Sequence, residues 1–145
     1  MNPKGFLSMI AVAGVLCTCL FGISAMSQAN PEGGMILKEE MLALEQVFET
    51  IIDAVIFDNM ELIKPQIPPF HEARKRFEEA INTGQKIQLP KNKGKFNEFV
   101  KLDDKFHKDF ETLEEAAGKG QKGVVKDLTH KLFDACVVCH ERFRK

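Results

Sequence analysis

The sequence predicts an all-α protein, an antiparallel four-helix bundle, and three observations predict it. No stretch alternates apolar and polar residues as a half-buried strand would. Four stretches repeat apolar residues at three- and four-residue steps, and short segments rich in Gly or Pro separate them. A chain of 145 residues suits one domain, and 44% apolar with 28% charged residues describes one that can bury a core. Twelve Phe with no Trp and no Tyr make Phe the main bulky filler of that core. The formal charge of -1 provides no single-sign field, so bulk attraction to nucleic acid is excluded.

Residues 1–29 carry one charged side chain, Lys4, followed by an apolar run from Phe6 to Ile23 and then small residues. That is the layout of a secretory signal, with Ser27 and Ala29 at the -3 and -1 positions of the cut. The domain is therefore expected over residues 30–145, in the periplasm. An uncleaved membrane anchor is the alternative, since the run reaches the lower end of the about 17–25 residues that a span requires. The first helix is expected to start after Gly33-Gly34 and to run to Lys64, where Pro65 ends it. Met41, Phe48, Ile52, Val55, Leu62 and Ile63 share one side of it, which should face inward.

Pro68-Pro69 opens a second helix over residues 69–83, with Phe70, Ala73, Phe77, Ala80 and Ile81 as its stripe and Gly84 as its stop. A basic loop over residues 84–94 leads to the third helix, Lys95 to Ala117. Its stripe is Phe96, Phe99, Phe106, Phe110 and Leu113, with Asp103 as one polar intrusion. Gly118, Gly120 and Gly123 break the chain before the fourth helix, Val124 to Arg144.

Cys17 and Cys19 leave with the signal, so the domain keeps Cys136 and Cys139. Two thiols three residues apart can form a small disulfide, half of a metal site or a covalent cofactor attachment. The next residue is His140, and Cys136-Val137-Val138-Cys139-His140 has the spacing that attaches a c-type haem: each thiol adds to one vinyl group and the adjoining imidazole reaches the iron. At about 100° per residue, Cys139 lies about 60° to one side of Cys136 and His140 about 40° to the other, with Phe143, Phe133, Leu132, Thr129 and Val125 in the same arc. One side of the helix thus offers two thioether positions, an iron ligand and an apolar bed. The competing readings lack support. A dithiol redox site expects a βαβ pattern, a zinc site needs a second ligand pair, and a disulfide across one helical turn strains the backbone.

With these residues the chain resembles the cytochrome c prime family, the class II c-type cytochromes, which are secreted four-helix bundles with CxxCH close to the C-terminus. An aromatic residue three positions after the His and then Arg or Lys complete that family's pattern, and here Phe143 and Arg144 match it. The sequence departs from the pattern in its short second helix and in lacking Tyr and Trp. The resemblance implies one covalent haem c, one-electron exchange with redox protein partners, and no enzymatic turnover; no nucleophile with its base stands out either. It also implies that Arg144 lies against the His140 imidazole, the alternative being a cation that complements the helix dipole.

Relatives fill the sixth iron position with Met from the first helix or leave it open, which separates electron transfer from binding of NO or CO. Met41, seven residues before Phe48, is the candidate ligand; in the open alternative Met41, Leu44 and Phe48 line the pocket. Met is also a common gap-filler in helical cores. Of the other histidines, His71 and His130 are expected in solvent, and His107, flanking the Phe stripe, is the remaining candidate for iron or the haem edge. Lysines at 86–95 and 119–126 are expected as solvated loop residues, able to guide an acidic redox partner. Leu42 and Met60 are weak pointers to a homodimer through the first helix, the surface relatives use.

Overall fold

The computed structural model describes residues 31–144, which form four helices and, among the described residues, no strand: α1 (Pro31–Ile56), α2 (Ile67–Asn82), α3 (Phe96–Gly118) and α4 (Lys122–Phe143). Three short 3₁₀ turns lie at Met60–Leu62, Lys64–Gln66 and Lys93–Lys95. The expected signal, with Cys17 and Cys19, falls outside the described residues. No described helix is long and apolar enough to cross a membrane.

Helix α1 departs from expectation at both ends. It already includes Gly33 and Gly34. Gly33 sits so close to the α2–α3 connection that a Cβ there would stand 2.3 Å from the Lys86 carbonyl oxygen. This glycine permits a backbone approach and does not break the helix. At the other end α1 stops at Ile56, not Lys64, because Asp58 turns left-handed at φ 54° and the Asn59 amide donates back to the Ala54 carbonyl at 2.9 Å. Asp tolerates that conformation better than most residues, so an Asp58-Asn59 pair ends the helix without Gly or Pro. The chain then winds through two 3₁₀ turns that carry Ile63 into the core and leave Leu62 exposed.

The inward face of α1 is also one residue out of phase with the predicted stripe. Glu40, Val47, Ile51 and Ala54 are fully buried, Met41, Phe48 and Val55 are half-buried, and Ile52 is exposed. The packing partners explain the rotation. Helix α1 packs mainly on α2 and α3 mainly on α4, whereas α1 and α4 meet sparingly. Of the half-buried row, Phe48 and Val55 border the looser seam with α4.

The other elements lie close to their predicted limits. Gly84 and Gly120 hold the left-handed positions that follow α2 and α3, at φ 78° and 65°. One part of the core joins Val47, Ile51, Phe70, Phe110, Leu113 and Leu132, and the other joins Phe77, Leu89, Phe99 and Phe143. The basic α2–α3 connection does more than expected of a solvated loop. Ile87 and Leu89 anchor it in the core, the Lys91 amide donates to the Phe143 carbonyl at 3.0 Å, and Lys91 Nζ and Asn92 Nδ2 donate to the Glu141 and Arg142 carbonyls. These bonds satisfy carbonyls that a helix C-terminus otherwise leaves without partners, and they tie the connection to the end of α4 that carries the CxxCH residues.

Candidate functional site: the seam between α1 and α4

On α4 the inward face is Val125, Thr129, Leu132 and Phe143, all buried. Thr129 satisfies its hydroxyl within the helix by donating to the Val125 carbonyl at 2.7 Å. Cys136 and Cys139 flank that face half-buried, as free thiols. His140 and Phe133 lie further round. Phe133 is 55% exposed, so it belongs to the edge of the predicted apolar bed and not to its floor. The floor itself is filled by the protein's own core, because Val125 and Leu132 pack against residues of α1 and α3. What remains open is the edge facing α1.

Across that seam the Phe48 and Phe133 rings stack, with centroids 6.5 Å apart and planes 17° from parallel. Beside them lies a mostly apolar hollow of about 550 Å³, lined by Phe48, Ile52, Val55 and Ile56 from α1 and by Thr129, Phe133 and Asp134 from α4. His130, exposed as expected, stands at its rim. The hollow begins one turn before Cys136 and extends away from it; Cys136, Cys139 and His140 lie beyond its edge. On their side Cys136 shares a cluster with Ala43 and Leu44 of α1, and Cys139 shares one with Ile36 and Leu37.

Burial pushes the Cys136 thiol up, and burial with the charges of Asp103 and Cys136 pushes Cys139 up to about 11. Both are therefore neutral thiols at neutral pH. His140 moves the opposite way, lowered first by burial and then by the Arg144 guanidinium, so its imidazole is neutral and its nitrogens are available as donors to a metal. Arg142 turns away from this group to pair with Glu98. Met41 is half-buried on α1, while Met35 is exposed.

His107 corrects an expectation. It is buried at 8% exposure, not at the margin of the Phe stripe, and stacks on Phe70 with centroids 5.2 Å apart. Its neighbours are Glu40, fully buried, and Asp103, the intrusion in the α3 stripe. Arg74 of α2 closes this group, pairing with Asp103 and with Glu40 at 3.3 Å. Glu40 and Arg74 were not singled out from the sequence, since each lies among many exposed charges of α1 and α2. The available signal was Asp103 and His107 one turn apart on an otherwise apolar face. His71, by contrast, is exposed and contacts Glu114 at 2.9 Å. Compared with protein-family models, with curated proteins and with solved structures, the chain matches none.

Proposed function

We propose that the chain is a periplasmic c-type cytochrome similar to the cytochrome c prime family, an antiparallel four-helix bundle with one haem c held by Cys136 and Cys139 and ligated by His140. The register of the seam carries this reading. Phe48 touches Phe133, and if α1 and α4 run in opposite directions, a step of about 1.5 Å per residue brings Met41, seven residues back, level with His140, seven residues on. The same step of two turns leaves each within about 20° of its Phe on the helix wheel, so both border one seam.

The residues fit the group. Two free thiols and a neutral imidazole stand together, and exposed Phe133 and Val137 on the same side of α4 leave apolar surface that a porphyrin would cover. When bound, haem supplies a one-electron iron centre whose potential a Met/His ligand pair would raise. The protein's own contributions are to hold His140 neutral, to present the Met41 thioether and to exclude water with Phe48 and Phe133. Phe143 anchors the ligand-bearing turn in the core and Arg144 adds positive charge beside the imidazole. Lys91, Lys93 and Lys95, on the connection tied to this end of α4, favour an acidic redox partner. Leu42, exposed on α1, fits a dimer contact there.

The second reading is an open iron position that takes NO or CO, in which Met41, half-buried on α1, is a gap-filler and not a ligand. Expressed with cytochrome maturation machinery, the protein should retain its haem absorption after denaturation and acid–acetone extraction; haem lost to the solvent phase overturns both readings. A ferrous low-spin spectrum insensitive to CO supports Met41 ligation, and Met41→Ala should then become high-spin and CO-reactive. An unchanged spin state and potential in Met41→Ala removes Met41 as ligand.

A further inference from the structure

The geometry points to a second site, for a divalent first-row transition ion, formed by Glu40 of α1 and Asp103 and His107 of α3. One donor atom from each lies within 4.8 Å of the other two, and all three residues are buried. His107 Nε2 stands 3.3 Å from Glu40 Oε1 and 3.7 Å from Asp103 Oδ1. Donors bound at about 2.0–2.2 Å in a tetrahedral site are about 3.3–3.6 Å apart, so little inward movement is required.

One of these atoms, His107 Nε2, and the second oxygen of Glu40 beside them, Oε2, are buried without a hydrogen-bond partner among the described residues. A buried carboxylate oxygen left in that condition is costly, and an imidazole nitrogen 3.3 Å from the other oxygen of the same carboxylate offers a second donor for a cation. Arg74 is the obvious rival, a cation already present. Its guanidinium, however, binds Glu40 through Oε1 and Asp103 through Oδ2, and not through Glu40 Oε2 or Asp103 Oδ1. Arg74 is further engaged by Glu78 at 2.8 Å and Asp104 at 2.9 Å. Of the four carboxylates around this guanidinium, Glu78 and Asp104 are more than half exposed, so the buried charge is that of Glu40 and Asp103. A divalent ion would share that charge with Arg74 in exchange for the proton that, against the effect of burial, these two carboxylates favour on His107. Each inner carboxylate would then bridge Arg74 and the ion. Imidazole with carboxylates suits zinc, manganese or ferrous iron and disfavours calcium, which prefers an all-oxygen cage.

Zinc is the probe. The purified full chain and its Cys136→Ala/Cys139→Ala variant are loaded with zinc chloride, desalted and assayed for metal, so that thiol ligation is removed as an explanation and haem content does not matter. One zinc retained per chain in both proteins is expected. Glu40→Gln and His107→Gln should each weaken binding by more than the roughly 100-fold that loss of an outer-shell partner costs, and His71→Gln should change nothing. If circular dichroism shows a substituted chain unfolded, cobalt(II) in the thiol-free variant decides: tetrahedral d–d bands support the site. No retained zinc, retention indifferent to both substitutions, or no cobalt-dependent absorption overturns it and leaves the cluster as an ion network only.

Discussion

A single methyl group tests how closely α1 approaches the α2–α3 connection. A Cβ on Gly33 would meet the Lys86 carbonyl oxygen at 2.3 Å and the Ile87 Cα at 3.4 Å, and backbone cannot swing aside as a long side chain can. Gly33→Ala should therefore destabilise the fold by about 1–3 kcal/mol, the usual cost of overpacking, read from urea melts. Gly34→Ala is its control: nothing lies within 4 Å of a Cβ there, and replacing Gly within a helix should be neutral or slightly stabilising. Sequence reasoning placed both glycines ahead of the helix, because Gly-Gly reads locally as punctuation. Only a neighbour distant in the chain distinguishes the two.

Between elements, α3 and α4 are pinned by Asp109, which accepts from Lys131 of α4 at 2.7 Å and lies 3.3 Å from Lys105 of its own helix. The Lys131 bond, opposed by slight burial and aided by Lys105, holds Asp109 below 3.8. A carboxyl group lowered on folding stabilises above its unfolded value, and that stability is lost as pH falls through the folded value. Asp109→Asn should cost about 0.5–1 kcal/mol at pH 7, little more than an exposed pair because Lys131 is half in solvent. The two proteins should converge below Asp109's folded value, in acid. A difference that persists there would assign the effect to packing. The charge pattern alone could not foresee this pair, since Asp109 and Lys131 are far apart in sequence and resemble many other solvated charges.

At the scale of the whole molecule, the loose α1–α4 seam distinguishes this fold from one packed evenly around its core. Phe133 and Val137 remain exposed near the thiols, and Ile56 and Phe57 extend apolar surface beyond the hollow. If a porphyrin covers the thiol end, the Cys136→Ala/Cys139→Ala variant made without haem should bind an environment-sensitive apolar dye and melt lower than the parent. An equal melting temperature and no dye uptake would mean that this surface is tolerated bare. The buried Glu40, Arg74, Asp103 and His107 group belongs to this scale too, because it exists only where three helices converge.

Local chemistry determined much of this protein. Phe at three- and four-residue steps produces α3, Gly84 ends α2, and Cys136, Cys139 and His140 share an arc of α4 because helical geometry fixes their angles once the helix forms. These features depend on residues within a turn or two of one another, and the sequence displays such neighbours directly. Tertiary structure decided which row of α1 faces inward, where Asp58 stops it, that the α4 floor is core while Phe133 stands at the edge, and that Glu40 meets His107. Those outcomes depend on how closely whole helices can approach, a property of facing surfaces many residues apart that no single segment encodes.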